Sequence, residues 1–137
     1  MSNLTTYSIN ALANAICRNV ELQLPSSLWV AVHSADATVD ASQAEFTGVN
    51  YERQEVADAM FDAAVSGKCV LNADVVFPTA GSNWGPAAWL SLWDAQEGGN
   101  PWFQGPTAQQ ATGQPLVQIT TGQVFRLPAG SLTVGMQ

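Results

Sequence analysis

Short apolar runs separated by turn residues are the feature that most constrains the fold of this chain. From residue 28 onward they recur about every ten residues, and glycine or proline closes most of them. The runs that favour strands are 28–33, 51–56, 69–77, 88–93, 102–103, 116–120, 124–127 and 132–134. Many short strands joined by tight turns are typical of antiparallel sandwiches and barrels. We therefore predict a mainly β fold, an antiparallel β-sandwich of the jelly-roll kind.

One segment at the N-terminus has the period of a helix instead. Between Thr6 and about Val20, the apolar residues Ile9, Leu12, Ile16 and Val20 recur at helical spacing. Thr5 is among the candidate N-caps, and Pro25 prevents the helix from continuing. We predict one N-terminal α-helix in an anchor segment, residues 1–24, followed by a β-sandwich domain, residues 25–137. The apolar stripe either attaches the domain to a neighbouring subunit or to the particle surface, or it covers the domain's own sandwich.

Charge is scarce and mostly negative. Only 11% of the 137 residues are charged, and four cations face eleven acids for a net charge of −7. An average soluble domain carries about 25% charged residues, so we expect much of this surface to be buried in an oligomer, most simply a trimer. Four cations are too few to neutralise a nucleic-acid backbone or to bind an anionic membrane surface. The N-terminal residues also lack the features of a secretion signal.

The sequence offers little material for catalysis. His33 is the only histidine and is interpreted as an ordinary residue at the end of a strand. Cys17 and Cys69 lack metal-ligand spacing and are interpreted as small core residues. There is no nucleophile elbow and no glycine-rich nucleotide loop. Asp94 and Glu97 share a turn, but a calcium loop needs more oxygen ligands. We predict no catalytic residue, no cofactor and no metal site.

Tryptophan is concentrated in one part of the chain. Trp84, Trp89, Trp93 and Trp102 fall within nineteen residues. Trp89 and Trp93 occupy one face of a predicted strand, whereas the leucines between them occupy the other face. Because both faces of this strand are apolar, we predict that one face packs in the domain core and that the other face packs in a subunit contact. The alternative is a carbohydrate-binding module in which exposed tryptophans form the sugar platform.

Several short motifs, taken in order, resemble a family of small tailed-phage virion proteins that are usually labelled tail fibre proteins. The motifs are the segments 28–34, 48–54, 73–80, 83–85, 92–95, 98–100 and 127–134. The resemblance extends over roughly residues 4–134, which is nearly the whole chain. It implies a non-enzymatic, β-rich component of the virion, assembled in the cytoplasm of the host bacterium.

The resemblance also implies partners and structural residues. The expected partners are further copies of the chain in a homotrimer and other virion proteins, such as major capsid or tail and neck proteins. Structural roles are implied for Gly48, Tyr51, Arg53, Trp84 and Gly85. Arg53 is one of only four cations, so we expect it to have a carboxylate partner. Capsid decoration, as a cement protein, and a small tail-fibre or collar component both remain open.

Overall fold

The protein is described here from a computed structural model covering residues 3–135. The outer ends of the predicted segments 1–24 and 25–137 therefore lie outside the described residues. The strands are β1 Asn3–Leu4, β2 Leu28–His33, β3 Gln54–Val56, β4 Lys68–Val70, β5 Val75–Val76, β6 Gly85–Pro86, β7 Trp89–Trp93, β8 Pro101–Pro106, β9 Gln118–Ile119, β10 Arg126–Leu127 and β11 Thr133–Gly135. The helices are α1 Thr6–Arg18 and α2 Ala108–Thr112, with a 3₁₀ turn at Asp58–Met60.

A five-stranded antiparallel sheet forms one layer of the molecule, in the order β1-β8-β7-β2-β3. Three antiparallel two-stranded ribbons, β5 with β10, β4 with β11, and β6 with β9, account for the remaining strands. The predicted mainly β, antiparallel fold with an N-terminal helix is confirmed.

The main core lies between one face of the sheet and the ribbons. Val30, Val32, Leu90 and Leu92 contribute from the sheet, because alternate residues of a strand point to the same face. The ribbons and their connections contribute a second set: Leu71, Val75, Phe77, Ile119, Phe125, Leu127, Leu132 and Val134. The second layer thus consists of separate ribbons that share one hydrophobic core with the sheet.

The single strand predicted over residues 69–77 is wrong, because the ladder is interrupted between β4 and β5. The predicted alternation survives, and Leu71, Val75 and Phe77 are all buried. Polar groups at the interruption bond elsewhere: the Asn72 amide group donates to the Ala59 carbonyl, and an Asp74 carboxylate oxygen accepts from the backbone of Ala129. These bonds join the interruption to distant parts of the chain, and the core-facing side chains on either side of it keep their positions.

Helix α1 begins where the sequence indicates and ends earlier than predicted. The Thr5 hydroxyl caps its start by accepting from the backbone N–H of Ser8 at 3.2 Å. Asn19 adopts a left-handed conformation with φ of 53°, which ends the helix at Arg18 and leaves Val20 beyond it. Cys17 is exposed, so its predicted place in the core is wrong, because its helical position faces away from the sheet.

A second, short helix was not predicted from the sequence. The Thr107 hydroxyl accepts from the backbone N–H of Gln110, and Gly113 ends α2 with a φ of +72°. Thr107 followed three positions later by Gln110 is a capping-box spacing, and Gly113 supplies the C-terminal stop. These two signals were present in the sequence and would have identified α2.

Candidate functional site

The tryptophan-bearing face of the sheet is the first candidate surface. On β7, Leu90 and Leu92 point into the core, whereas Trp89 and Trp93 lie half-buried on the opposite face, as their alternation predicts. The chain covers part of this face itself, since Ala37 and Ala41 of the connection after β2 are fully buried outside the main core. The tryptophan face is therefore only partly available to another molecule.

A chain of hydrogen bonds crosses this face and fixes the state of His33. Trp93 can only donate, and its indole N–H donates to the Ser91 hydroxyl at 2.7 Å. The Ser91 hydroxyl then donates to His33 Nε2 at 2.7 Å, and Nδ1–H donates to the Gln43 carbonyl at 2.6 Å. The Gln43 carbonyl can only accept, so Nδ1 carries the proton, and burial disfavours a second proton on Nε2.

The Ser91–His33 pair has no catalytic geometry despite its residue types. Both residues are buried, and Nδ1 of His33 faces a backbone carbonyl instead of the carboxylate that completes a catalytic triad. Burial lowers the pKa of His33 below its ordinary value, although the Gln43 carbonyl and the Glu45 charge act in the opposite direction and Arg53 adds to the lowering. The pair therefore holds the connection after β2 against the sheet.

Arg53 has the carboxylate partner that we expected, and it lies beside the same hydrogen-bond chain. Its guanidinium donates to both oxygens of Glu45 at 2.9 Å, and it also donates to the carbonyls of Ala95 and Gly98. Its central carbon lies 3.9 Å from the ring centroid of Trp93, which is a cation–π contact. Arg53 thus joins two segments, the connection that carries Glu45 and the turn that carries Ala95 and Gly98, to the face of the sheet.

Tyr51 extends this network into the core. Its hydroxyl donates to Glu45 at 2.8 Å and accepts from the backbone N–H of Val32 at 3.1 Å. Burial alone would raise the pKa of Glu45, but its bonds from Arg53 and Tyr51 outweigh burial and lower that pKa. Burial and the nearby Glu45 charge raise the pKa of Tyr51. Within the network, Arg53 and Glu45 therefore form an ion pair, and Tyr51 keeps its hydroxyl proton.

Gly48 and Gly85 have steric and conformational roles around Trp84. A Cβ atom on Gly48 would lie 2.3 Å from Cδ1 of Trp84, so only glycine allows this approach. The Trp84 indole N–H donates to the Val49 carbonyl at 2.9 Å, which holds the buried ring against the same turn. Gly85 has a φ of +113°, which other residues rarely adopt. Glycine is therefore required at position 48 by the close approach of Trp84 and at position 85 by the backbone conformation.

The helix stripe, which we define as Ile9, Leu12 and Ile16 on one side of α1, faces largely outward. Ile9 is 51% exposed and Ile16 is 80% exposed, whereas Leu12 is half-buried. The side of α1 that meets the sheet instead carries Ser8, whose hydroxyl donates to the Trp102 carbonyl at 2.8 Å. The stripe therefore covers little of the protein's own core. Val20, the fourth residue of the predicted stripe, is exposed beyond the helix.

An apolar groove lies beside the helix stripe. Its volume is about 280 Å³, and its lining residues are all apolar: Leu4, Leu12, Leu22, Leu24, Pro25, Leu28, Trp102 and Phe103. A smaller hollow of about 150 Å³ shares Leu28 and Phe103 with it and extends the apolar surface to Phe61, Cys69 and Val134. Leu28 and Phe103 also pack against the main core, so the groove lies where the core-facing side of the sheet reaches the surface.

The groove is the part of this surface that sequence reasoning missed. Leu12 was named in advance, but Leu22, Leu24 and Phe103 were not. Leu22 and Leu24 lie between the helix and the first long strand, where we predict no element. The sequence therefore does not predict which surface these two residues form. Only the folded arrangement brings them next to Phe103. The predicted interface residues Trp89 and Trp93 lie on the opposite face of the sheet and are not part of the groove.

Within residues 3–135, no three histidine, cysteine or acidic side chains come together as metal ligands. No helix in the same part of the chain has both the length and the apolar character needed to cross a bilayer.

A match to a protein family covers the whole of the described structure. Residues 3–135 match the family described as podophage GP4 fiber I protein gp80. No curated protein matches the chain. The chain therefore belongs to this family of phage fibre proteins, and the resemblance to tail fibre proteins is confirmed.

Proposed function

We propose that this protein is a non-enzymatic structural component of a tailed-bacteriophage particle, present as an accessory homo-oligomer on the particle exterior. The family match over residues 3–135 is the observation that carries this proposal. It includes the sheet, the ribbons and α1 with its exposed stripe. The proposal of an assembly role therefore rests on similarity over the whole fold and not on one local motif.

The polar interior supports a structural role more than a chemical one. Among the described residues, every buried side-chain nitrogen or oxygen has a hydrogen-bond partner. Catalytic groups are typically poised to bind a substrate and are reachable from solvent. Here the strongest polar cluster, from His33 to Glu45, is committed to bonds within the chain.

The position we favour on the particle is a small fibre or collar component near the tail. The family description supports this position over capsid decoration, because it names a fibre protein. We further propose that the subunits form homotrimers, contact other virion proteins, and assemble in the host cytoplasm. The scarcity of charge, at 11% of residues, supports burial of a large part of the surface in such contacts.

The tryptophans give little support to the carbohydrate-binding alternative. Trp84 and Trp102 are buried, so neither can present a ring to a sugar in solution. Trp93 has Arg53 over one ring face, and Trp89 directs its indole N–H to Gln104 within the sheet. A stacking platform needs an open ring face, and these two rings are largely engaged by their own chain.

Labelled antibodies on purified phage particles test the proposal. We expect gold particles bound to this protein to lie at the tail or neck, while a control antibody against the major capsid protein marks the head. Labelling over the head would instead assign the protein to capsid decoration. Mass spectrometry of the same particles should also detect peptides of this protein, and their absence would contradict a virion role.

A further inference from the structure

Strands β9 and β10 follow one another in the chain but do not pair with each other. The turn between them is tight, since the Gln123 N–H donates to the Thr120 carbonyl at 3.0 Å. Beyond the turn, β9 pairs with β6 and β10 pairs with β5, and in residues 3–135 no ladder joins β9 to β10. Consecutive antiparallel strands joined by a tight turn usually form a hairpin. Here the two strands instead leave an open cleft of about 420 Å³ between them.

The cleft is bordered by hydrogen-bonding backbone groups of both strands. The Phe77 N–H donates to the Phe125 carbonyl at 2.9 Å, so Phe125 faces β5. Its neighbours Val124 and Arg126, which line the cleft, therefore direct their N–H and C=O groups away from β5. By the same alternation, Gln118 directs its backbone groups away from β6. Val124 makes no hydrogen bond anywhere in the described structure. An unpaired strand edge of this kind is a template for a further strand.

The side chains around the cleft alternate between the core and the solvent. On β10, Leu127 is buried like Phe125 before it, and Arg126 between them is exposed. A second hollow of about 130 Å³ shares Phe125 and Arg126 with the cleft and reaches Leu90 of the main core. An apolar cavity of about 150 Å³ holds a benzene-sized group, so the hollow accommodates about one aliphatic side chain. A strand placed in the cleft would therefore direct alternate apolar side chains inward and polar ones outward.

One segment of the chain has this pattern and lacks a strand partner. Residues 20–24 read Val-Glu-Leu-Gln-Leu, so apolar and polar side chains alternate as in a half-buried strand. The segment lies between α1 and β2 and belongs to no helix or strand. Leu24 is 72% exposed, and Val20 is exposed as well. Residues 21–24 make no hydrogen bond with one another or with the rest of the described chain. Their backbone groups are therefore free to form a ladder elsewhere.

The segment complements β10 in charge and in register. Arg126 is the only charged residue that lines the cleft, and it makes no salt bridge in the described part of the chain. An antiparallel ladder with Glu21 opposite Arg126 supplies the missing carboxylate on the outward side. Residues directly opposite in such a ladder point to the same face, so Leu22 then lies opposite Phe125 and faces inward with it.

Within one subunit, the segment and the cleft are separate surfaces. Leu22 and Leu24 line the apolar groove beside α1, and no residue lines both that groove and the cleft. A contact between two different surfaces of identical chains is heterologous, and it closes into a ring when the rotation between subunits allows. A ring of three subunits would satisfy the homotrimer of the proposed function.

We infer that residues 20–24 of one copy add as an antiparallel strand to β10, in the cleft of a second copy of this chain. Gln23 lies opposite Val124 and exchanges both ladder hydrogen bonds with it, and Glu21 pairs with Arg126. This inference rests on the proposed function, since it identifies the contact that would join the subunits of the fibre oligomer.

Proline substitutions in the full-length protein test the ladder. Gln23→Pro and Val124→Pro each remove one N–H of the inferred pair, and neither N–H bonds within its own subunit in the described structure. Wild-type protein is expected to self-associate in sedimentation, and each proline variant is expected to associate at least about tenfold more weakly. Proline variants that associate as the wild type does would overturn the inference.

Alanine variants at the same two positions are the matched controls. Gln23→Ala and Val124→Ala shorten the same side chains but keep the N–H groups, so both should associate nearly as the wild type does. An alanine variant that weakens association as much as proline would contradict a backbone ladder. Circular dichroism confirms that all four variants remain folded.

A mixture of the two proline variants tests whether the partner is a second copy. Gln23→Pro keeps an intact cleft, and Val124→Pro keeps an intact segment. An equimolar mixture should therefore form a dimer of one copy of each variant and no larger species. A mixture that associates as weakly as each variant alone would overturn the inference.

Charge exchange tests the register. Glu21→Arg and Arg126→Glu are each expected to raise the dissociation constant by about two- to fivefold, the range of an exposed ion pair. The double variant carries the two charges in exchanged order and should recover wild-type association. A double variant that stays as weak as the single variants would contradict the pairing of Glu21 with Arg126.

The outcomes separate this inference from the proposed function. If the wild type stays monomeric at about 100 μM, a concentration that detects weak contacts, yet is found on particles, the second copy is overturned and the virion role stands. If the wild type associates through the ladder but is absent from particles, the inferred contact stands and the proposed function fails.

Discussion

His33 is a residue whose protonation state depends on the fold. Burial lowers its pKa below the ordinary 6.5, and the neutral ring already satisfies Ser91 and Gln43. Below pH 6.5 the unfolded chain binds a proton that the folded chain does not. We therefore expect the free energy of unfolding to be fully retained above that pH and to fall below it, by at most about 1.4 kcal/mol per pH unit.

Urea denaturation between about pH 8 and pH 5, the range in which histidine titrates, measures this dependence. At high pH, the His33→Gln variant should have a lower free energy of unfolding than the wild type. Its free energy of unfolding should also lose the dependence on pH that His33 causes. Glu45 also has a lowered pKa, so its contribution disappears only in the more acidic range below 4.5. A wild-type stability that stays constant between pH 7 and pH 5.5 would contradict the role of His33.

Gly48 is a second residue whose identity is required by its surroundings. Replacing it with alanine places a Cβ atom 2.3 Å from the Trp84 ring, and that ring is held by its bond to the Val49 carbonyl. We expect Gly48→Ala to lower the free energy of unfolding by about 1–3 kcal/mol, the usual effect of overpacking. Gly135→Ala is the control, because its nearest contact would be an ordinary 3.5 Å from Lys68. Chemical denaturation with tryptophan fluorescence compares the two variants.

At the scale of single elements, α1 depends on the residue before it. Thr5 is fully buried, caps the helix through Ser8, and donates a hydrogen bond to the Pro101 carbonyl on β8. Thr5→Ala removes the cap and leaves that carbonyl without this donor, so we expect a loss of about 1–2 kcal/mol in the free energy of unfolding. Thr5→Ser keeps the hydroxyl and should lose much less. Thermal denaturation followed by circular dichroism measures both, and equal losses would contradict the capping role.

The elements also show where sequence reasoning succeeded. Alternation identified the two faces of β7, because successive side chains of a strand point to opposite sides of the sheet. The continuous apolar run at residues 28–33 identified β2, which is buried along most of its length. Helical spacing and a threonine cap located the start of α1. The prediction failed where side chains compete with the ladder, as at Asn72, and at the end of α1, where the left-handed conformation of Asn19 overrides a pattern that continues to Val20.

The candidate surface was harder to predict than the elements. The stripe residues Ile9, Leu12 and Ile16 follow from periodicity alone, but periodicity cannot tell whether a stripe faces its own core or a neighbour. The groove requires Leu24 and Phe103 to meet, and they are separated by most of the sheet in sequence. Long-range proximity of this kind has no local sequence signal, so only the folded structure identifies it.

At the scale of the whole molecule, net charge and apolar contact act against each other. Two copies carry −7 each, and Coulomb's law in water gives about 7 kcal/mol of repulsion at a separation of about 30 Å without salt. Repulsion is therefore the main electrostatic effect between copies, and a contact made by uncharged apolar residues is itself insensitive to salt.

This balance leads to a salt dependence opposite to that of a charge-driven contact. Raising the ionic strength from about 0.01 M to about 0.15 M shortens the Debye length from about 30 Å to about 8 Å, which screens most of the repulsion between the copies. We expect the dissociation constant of the wild type to fall over this range when it is measured by sedimentation. Association that weakens as salt is added would mean that ion pairs, not apolar contacts, hold the copies together.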